Sequence, residues 1–264
     1  MDGKRCRGIR HLRIAVGPGR ERFQVAVNQH AALIGINANA GLAKARPRLS
    51  ALLRRLLWVH DLGVFEGRAF LAMAYVRGES LAERLRRGPL EPRQAAELVA
   101  LLCDAVAHAH AAGVLHRDLK PANVLFDAEG RALLTDFGLA KDSGSTLNLT
   151  REGQRIGTPL YMAPELLRAG APYGPPADVY AFGVLMWEVL TRELPFGGMG
   201  AGAIRAAVLG GERPAVPLSC PTALGELMQA CWSEDPGQRP DAATLLQQLK
   251  DAQAALPIAR ALDA

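Results

Sequence analysis

Three features are scarce in this chain, and each scarcity excludes something. There are four cysteines, Cys6, Cys103, Cys220 and Cys231, and no two form a CxxC pair. That pattern argues against a zinc ribbon or a disulfide framework and fits reduced thiols in a cytosolic protein. Long apolar runs are also missing. The most apolar stretch, Val179 to Leu190, has twelve residues and contains Glu188, whereas a membrane span needs about 20. A buried helix is the better reading, and no membrane segment is expected. The opening MDGKRCRGIRHLR lacks the apolar stretch of a secretion signal, so the expected location is cytoplasmic. Acidic residues are scarce only at the front. Residues 1–60 hold twelve Lys/Arg against two Asp/Glu, and the remainder nineteen against twenty-four. The basic front has few aromatics for stacking and no recognisable binding motif. The pI near 9.3 therefore does not imply a nucleic-acid partner.

What is present suffices for a packed protein. With 264 residues, 49% of them apolar, the chain can form one large domain or two lobes sharing a cleft. Residues 1–60 show weak periodicity. From Val64 the text becomes orderly. VFEGRAFLAMAYV (64–76) reads as two strands around a Glu66-Gly67 turn. SLAERLRRG (80–88) reads as a short helix capped by Ser80 and ended by Gly88. Pro92 to Ala112 has helical spacing, with Ala95, Leu98, Val99, Leu102, Val106 and Ala109 on one stripe. Residues 114–138 read as loop, strand, turn, strand, loop. Helices are expected at Asp178–Leu190, Ala223–Trp232 and Ala242–Ala254. Trp187, Trp232 and Met186 read as core. His108 and His110, two apart on a helix, do not share a face, so no metal site is expected there.

The informative stretch is His116-Arg117-Asp118-Leu119-Lys120-Pro121-Ala122-Asn123. Phosphoryl transfer from ATP needs an acceptor hydroxyl held in line, a carboxylate to take its proton, and cations around the phosphates. Asp118 on a rigid loop supplies the carboxylate. Lys120 can reach the same side and contact the transferred phosphate. The amide oxygen of Asn123 suits a hard ion such as magnesium. Eighteen residues after Asp118 comes Asp136-Phe137-Gly138, and Ala163-Pro164-Glu165 follows inside GTPLYMAPE. In this ordered set Asp136 would hold a second side of the metal, Phe137 would pack beneath, and Gly138 would permit the turn.

With these motifs the chain resembles the eukaryotic-type (Hanks-type) serine/threonine protein kinase superfamily, as found in bacteria as well, over roughly Val64 to Leu249. The resemblance implies a bilobal α+β fold: a small, strand-bearing and atypical N-lobe over residues 1–73, a hinge at 74–78, a large mainly helical C-lobe over 79–255, and a tail at 256–264. It implies transfer of the ATP γ-phosphate to Ser/Thr hydroxyls of proteins, with Mg2+, or Mn2+ in its place. HRDLKPAN with Lys120 resembles the Ser/Thr branch. Thr158 resembles the threonine that bonds the catalytic Asp and Lys. Glu165 and Arg239 match a buried ion pair, and Asp178 matches a helix Asp that braces the catalytic loop. His116 is structural. Met73 stands at the gate, Tyr75 and Val76 offer backbone groups to adenine, and Leu125 floors its pocket. Arg117 matches an Arg that pairs with an activation-loop phosphate, here on Thr146 or Thr150.

The front departs from the family pattern. A Gly-rich turn, a third-strand Lys and a helix Glu are expected there. Before the catalytic loop the lysines are Lys4 and Lys44, and neither stands in a V-A-x-K context. Gly17-Pro18-Gly19 keeps two glycines of a GxGxxG, and Glu21 precedes all other glutamates. Three readings stand: a degenerate lobe, which makes the chain a pseudokinase acting as a binding or regulatory module; a front altered by a shifted reading frame; or a divergent lobe that still works.

Overall fold

The computed structural model describes residues 9–15, 22–28, 59–65, 68–74, 76–137, 159–168 and 173–257. Two regions of different character appear. The first is a four-stranded antiparallel sheet of β1 (Ile9–Ala15), β2 (Arg22–Asn28), β3 (Val59–Phe65) and β4 (Arg68–Ala74), in the order β1-β2-β4-β3. The β3–β4 pair is the one read from VFEGRAFLAMAYV, and β3 begins earlier, at Val59. Strands β1 and β2 lie where periodicity is weak. The β1 signal is diluted because Arg and His interrupt the alternation in IRHLRIA.

The second region is mainly helical. A short strand β5 (Glu79–Ser80) leads into α1 (Leu81–Leu85). Ser80 caps α1 in a reciprocal box with Glu83. The helix stops before Gly88, where the Arg86 N–H turns back to the Glu83 carbonyl and the Arg87 N–H to the Arg84 carbonyl. Helix α2 (Pro92–Ala111) buries the whole expected stripe and adds Ala96, Ala100, Cys103 and Ala105. Strands β6 (Val124–Phe126) and β7 (Ala132–Leu134) join β5 in a small antiparallel sheet, ordered β5-β6-β7. Gly78 allows this close approach. A Cβ there would stand 1.7 Å from the Phe126 carbonyl oxygen.

A short α3 (Pro164–Leu167) precedes the central helix α4 (Pro175–Thr191), which is buried continuously from Ala177 to Val189. A helix apolar all round belongs in a core. Against it pack α6 (Thr222–Cys231) and α2, while α7 (Ala242–Ala255) lies along α2. Helix α5 (Ala201–Leu209) is an element the sequence reading did not anticipate. Gly183 lets α4 and α6 approach closely. A Cβ there would meet Cys231 Cβ at 2.9 Å and the Met228 carbonyl oxygen at 3.2 Å. Among the described residues no helix is long and apolar enough to cross a membrane.

Candidate active site

The catalytic-loop candidates sit between α2 and β6, on a segment pinned from three sides. Leu119 and Pro121 are buried and anchor it from within. A turn of 3-10 helix, Pro121–Asn123, then delivers Asn123 to the start of β6. The Thr135 N–H donates to the Asn123 carbonyl at 2.9 Å, which ties the end of β7 to the same wall. The next residue along that strand exit is Asp136.

Within this frame the polar side chains converge. Lys120 Nζ lies 2.6 Å from Asp118 Oδ2. Asn123 Nδ2 donates to the Asp118 carbonyl at 2.8 Å and to Asp118 Oδ2 at 3.0 Å. Asp136 is close enough to feel both neighbours. Burial pushes its carboxyl above the ordinary range, the Asp118 charge pushes the same way, and Lys120 pulls it back. Asp118 and Asn123 are thus in direct contact, with Asp136 within electrostatic reach of Asp118 and Lys120. The Asn123 nitrogen is committed to Asp118, so its oxygen is the end available to a cation. Hard oxygen donors of this kind fit Mg2+ or Mn2+. Among the described residues no cluster of three or more His, Cys, Asp or Glu could hold a metal ion.

The loop is held in an unusual backbone state. Arg117 has φ 69° and Asp136 has φ 62°. Such left-handed positions cost energy in non-glycine residues and persist only where surroundings impose them. At Arg117 the imposing group is Asp178, in the first turn of α4 and fully buried. Its Oδ2 accepts the His116 N–H at 2.8 Å, and its Oδ1 accepts the Arg117 N–H at 2.8 Å. His110 Nε2 lies 2.8 Å from Oδ2, and the Tyr173 hydroxyl donates to Oδ1 at 2.6 Å. Burial alone would raise the Asp178 carboxyl. The hydrogen bonds from His110, Tyr173 and the two backbone amides outweigh it and hold the group below its usual range.

His116 is fully buried and packs on Phe137, ring centroids 4.4 Å apart. Its Nδ1 accepts the Asp118 N–H at 3.3 Å, and its Nε2 has no partner among the described residues. Burial pushes the imidazole down to about 4. Arg239 clasps Glu165 with both terminal nitrogens, at 2.7 and 2.8 Å, and its guanidinium also donates to the Ser233 and Pro176 carbonyls. Leu125, half-buried on β6, pairs with Ser80 of β5, and Val76 is half-buried just before that strand. Met73 lies on β4 opposite Gln24 of β2. Tyr75, Thr146, Thr150 and Thr158 lie outside the described residues, as do Lys4, Lys44, Gly17 to Gly19, Glu21 and Gly138.

Three contributors escaped the sequence reading. His110 and Tyr173 are two, as partners of Asp178. The third is Tyr161, whose hydroxyl donates to the buried Glu188 carboxylate near the C-terminal end of α4. A polar residue next to an otherwise apolar helical stripe was the available signal for His110 and Glu188.

Comparison with known proteins places this arrangement. The family described as "Protein kinase domain" matches residues 54–249. The chain is 41% identical over 210 residues to the serine/threonine-protein kinase PkaA of Streptomyces coelicolor, covering 76% of this chain and 38% of that protein. It is 35% identical over 189 residues to the probable serine/threonine-protein kinase pknA2 of Bifidobacterium longum, covering 71% and 23%. The serine/threonine-protein kinase PrkC of Bacillus subtilis is 34% identical over 185 residues, covering 69% and 28%. The chain thus spans 23–38% of the length of these relatives. The small sheet and the larger helical body are the two lobes of the bilobal α+β fold. Outside the matched residues, β2 carries a phrase that shares its first two letters with the V-A-x-K of protein kinases. It reads Val25-Ala26-Val27-Asn28, ending in asparagine, and Val25 to Val27 pair with Ala72 to Phe70 of β4.

Proposed function

We propose that this chain, which belongs to the protein kinase domain family, transfers the γ-phosphate of ATP to serine and threonine hydroxyls of proteins. One observation carries the reading. The Asp118 carboxylate is held by Lys120 and Asn123 on a loop that Asp178 fixes in a strained backbone state. In the transfer, the acceptor oxygen bonds to the γ-phosphorus, the bridge to the β-phosphate breaks, and the hydroxyl proton passes to Asp118. Lys120 and Asn123 hold Oδ2 of that carboxylate in place for the transfer. Lys120, at the same spot, steadies the phosphate in flight. Asn123 and Asp136 hold Mg2+, with Mn2+ an acceptable replacement. The bound ion supplies positive charge against the phosphate oxygens.

The remaining roles follow the family resemblance. Thr158 bonds Asp118 and Lys120. Leu125, Val76, Tyr75 and Met73 form the adenine pocket. Arg117 receives a phosphate on Thr146 or Thr150. The choice of Ser/Thr rests on Lys120 and on the names the relatives carry. Protein substrates are the partners, and nucleic acid is not among them. A need for ATP and the buried, unpaired thiols of Cys103 and Cys231 fit a cytoplasmic setting. The domain limits are the N-lobe at 1–73, the hinge at 74–78 and the C-lobe at 79–255.

The test is transfer of label from γ-labelled ATP to a Ser/Thr substrate mixture, beside Asp118→Asn. Label on phosphoserine or phosphothreonine, lowered at least about a hundredfold in the variant, supports the assignment. Folded protein giving no label above the variant removes it.

A further inference from the structure

We propose that Tyr173 is a positioning residue for Asp118, acting through Asp178 and coupling the Arg117 side chain to that brace. The Asp178 carboxylate is shared evenly. Each oxygen takes one backbone N–H from the catalytic loop and one side-chain donor: Arg117 with Tyr173 on Oδ1, His116 with His110 on Oδ2. The backbone amides belong to the loop that must be positioned. The side-chain donors come from outside it, from the end of α2 and from the segment just before α4, and so fix the plane of the carboxylate independently of the loop.

Tyr173 does a second thing that His110 does not. The Arg117 guanidinium carbon stands 5.8 Å from the centre of the Tyr173 ring, within range of a cation–π contact. One side chain therefore touches Arg117 through its face and the acceptor of the Arg117 amide through its hydroxyl. Arg117 is the left-handed residue of the loop, and Asp118 is its neighbour in sequence. A small turn of the Asp178 carboxylate would move the 116–118 peptides and carry the Asp118 side chain with them. The phenol remains a proton donor throughout. Burial and the Asp178 charge hold it far above its ordinary titration range. Sites of this kind keep their geometry only when supporting residues lock the groups that hold the reacting side chain.

The test uses the full chain and Tyr173→Phe, which keeps the ring over Arg117 and deletes the donor. The primary readout is amide hydrogen exchange at His116 and Arg117, with Met228 in α6 as a monitor of global opening. The expected result is about tenfold faster exchange at Arg117 with Met228 unchanged, the size of effect a lost hydrogen bond to a charged group produces. Unchanged exchange at Arg117, or equal acceleration at Met228, overturns the proposal, since the hydroxyl would then be absent from the brace or merely part of general stability. The kinetic readout rests on the phosphotransfer reading. kcat falls about tenfold while KM for MgATP stays within about twofold; a rise in KM with kcat unchanged counts against it. If the unsubstituted chain transfers no phosphate, that reading fails, and the exchange result still decides the role of Tyr173.

Discussion

His116 couples the site to acidity. Its imidazole sits at about 4 in the fold because burial disfavours the charged form, against about 6.5 in an unfolded chain. Between those values the unfolded state binds the proton and the folded state does not. Stability is therefore full above about pH 6.5 and is lost as pH falls toward 4, by up to about 3 kcal/mol. Thermal unfolding measured across that range should show the decline, and His116→Phe should flatten it; an equally steep decline in the variant would show that other groups carry it. The Glu165–Arg239 clasp behaves differently. Arg239→Ala leaves a part-buried carboxylate unpaired and should cost about 3 kcal/mol, read as a lowered unfolding midpoint. A loss of activity at unchanged stability would contradict that structural role. Residue types and spacing made Asp118, Asn123 and Asp136 legible in the sequence, because local order along the chain determines which of them share a wall. His110 and Tyr173 were not legible, because their meaning lies in one shared acceptor. His110 reaches Asp178 across 68 positions, and no local pattern announces such a contact.

At the scale of elements, helix α1 depends on its cap. Ser80 accepts the Glu83 N–H at 3.2 Å while the Glu83 carboxylate accepts the Ser80 N–H at 2.9 Å. Ser80→Ala should destabilise by about 1 kcal/mol in denaturant unfolding; no change would mean that the β5–β6 pairing alone orders this turn. The amphipathic helices and β3–β4 were legible because period and punctuation agreed. Helix α5 was not, since nine residues of small and mixed character between glycines give little period to read. Strand β2 was obscured for another reason: its pattern ends in asparagine where lysine would have drawn attention. Adding a cation there should help phosphate binding. Asn28→Lys is expected to raise kcat/KM for phosphoryl transfer, by about tenfold or more. Unchanged kinetics would mean that β2 does not deliver this residue to the phosphates.

For the whole molecule, the described side chains that bear on chemistry all belong to the helical body, and α4 organises them. Its first turn holds the loop through Asp178, its far end binds Tyr161 through Glu188, and its middle is the core against which α2 and α6 pack. The central claim is that Asn123 and Asp136 bring a divalent ion and its triphosphate beside Asp118. Its most direct test is paramagnetic broadening of backbone amide signals when Mn2+ and ATP are added together. Strong loss of signal at residues 118–124 and 135–137, abolished by Asp136→Asn, is the predicted result. Broadening centred elsewhere, or left intact in that variant, would contradict the account.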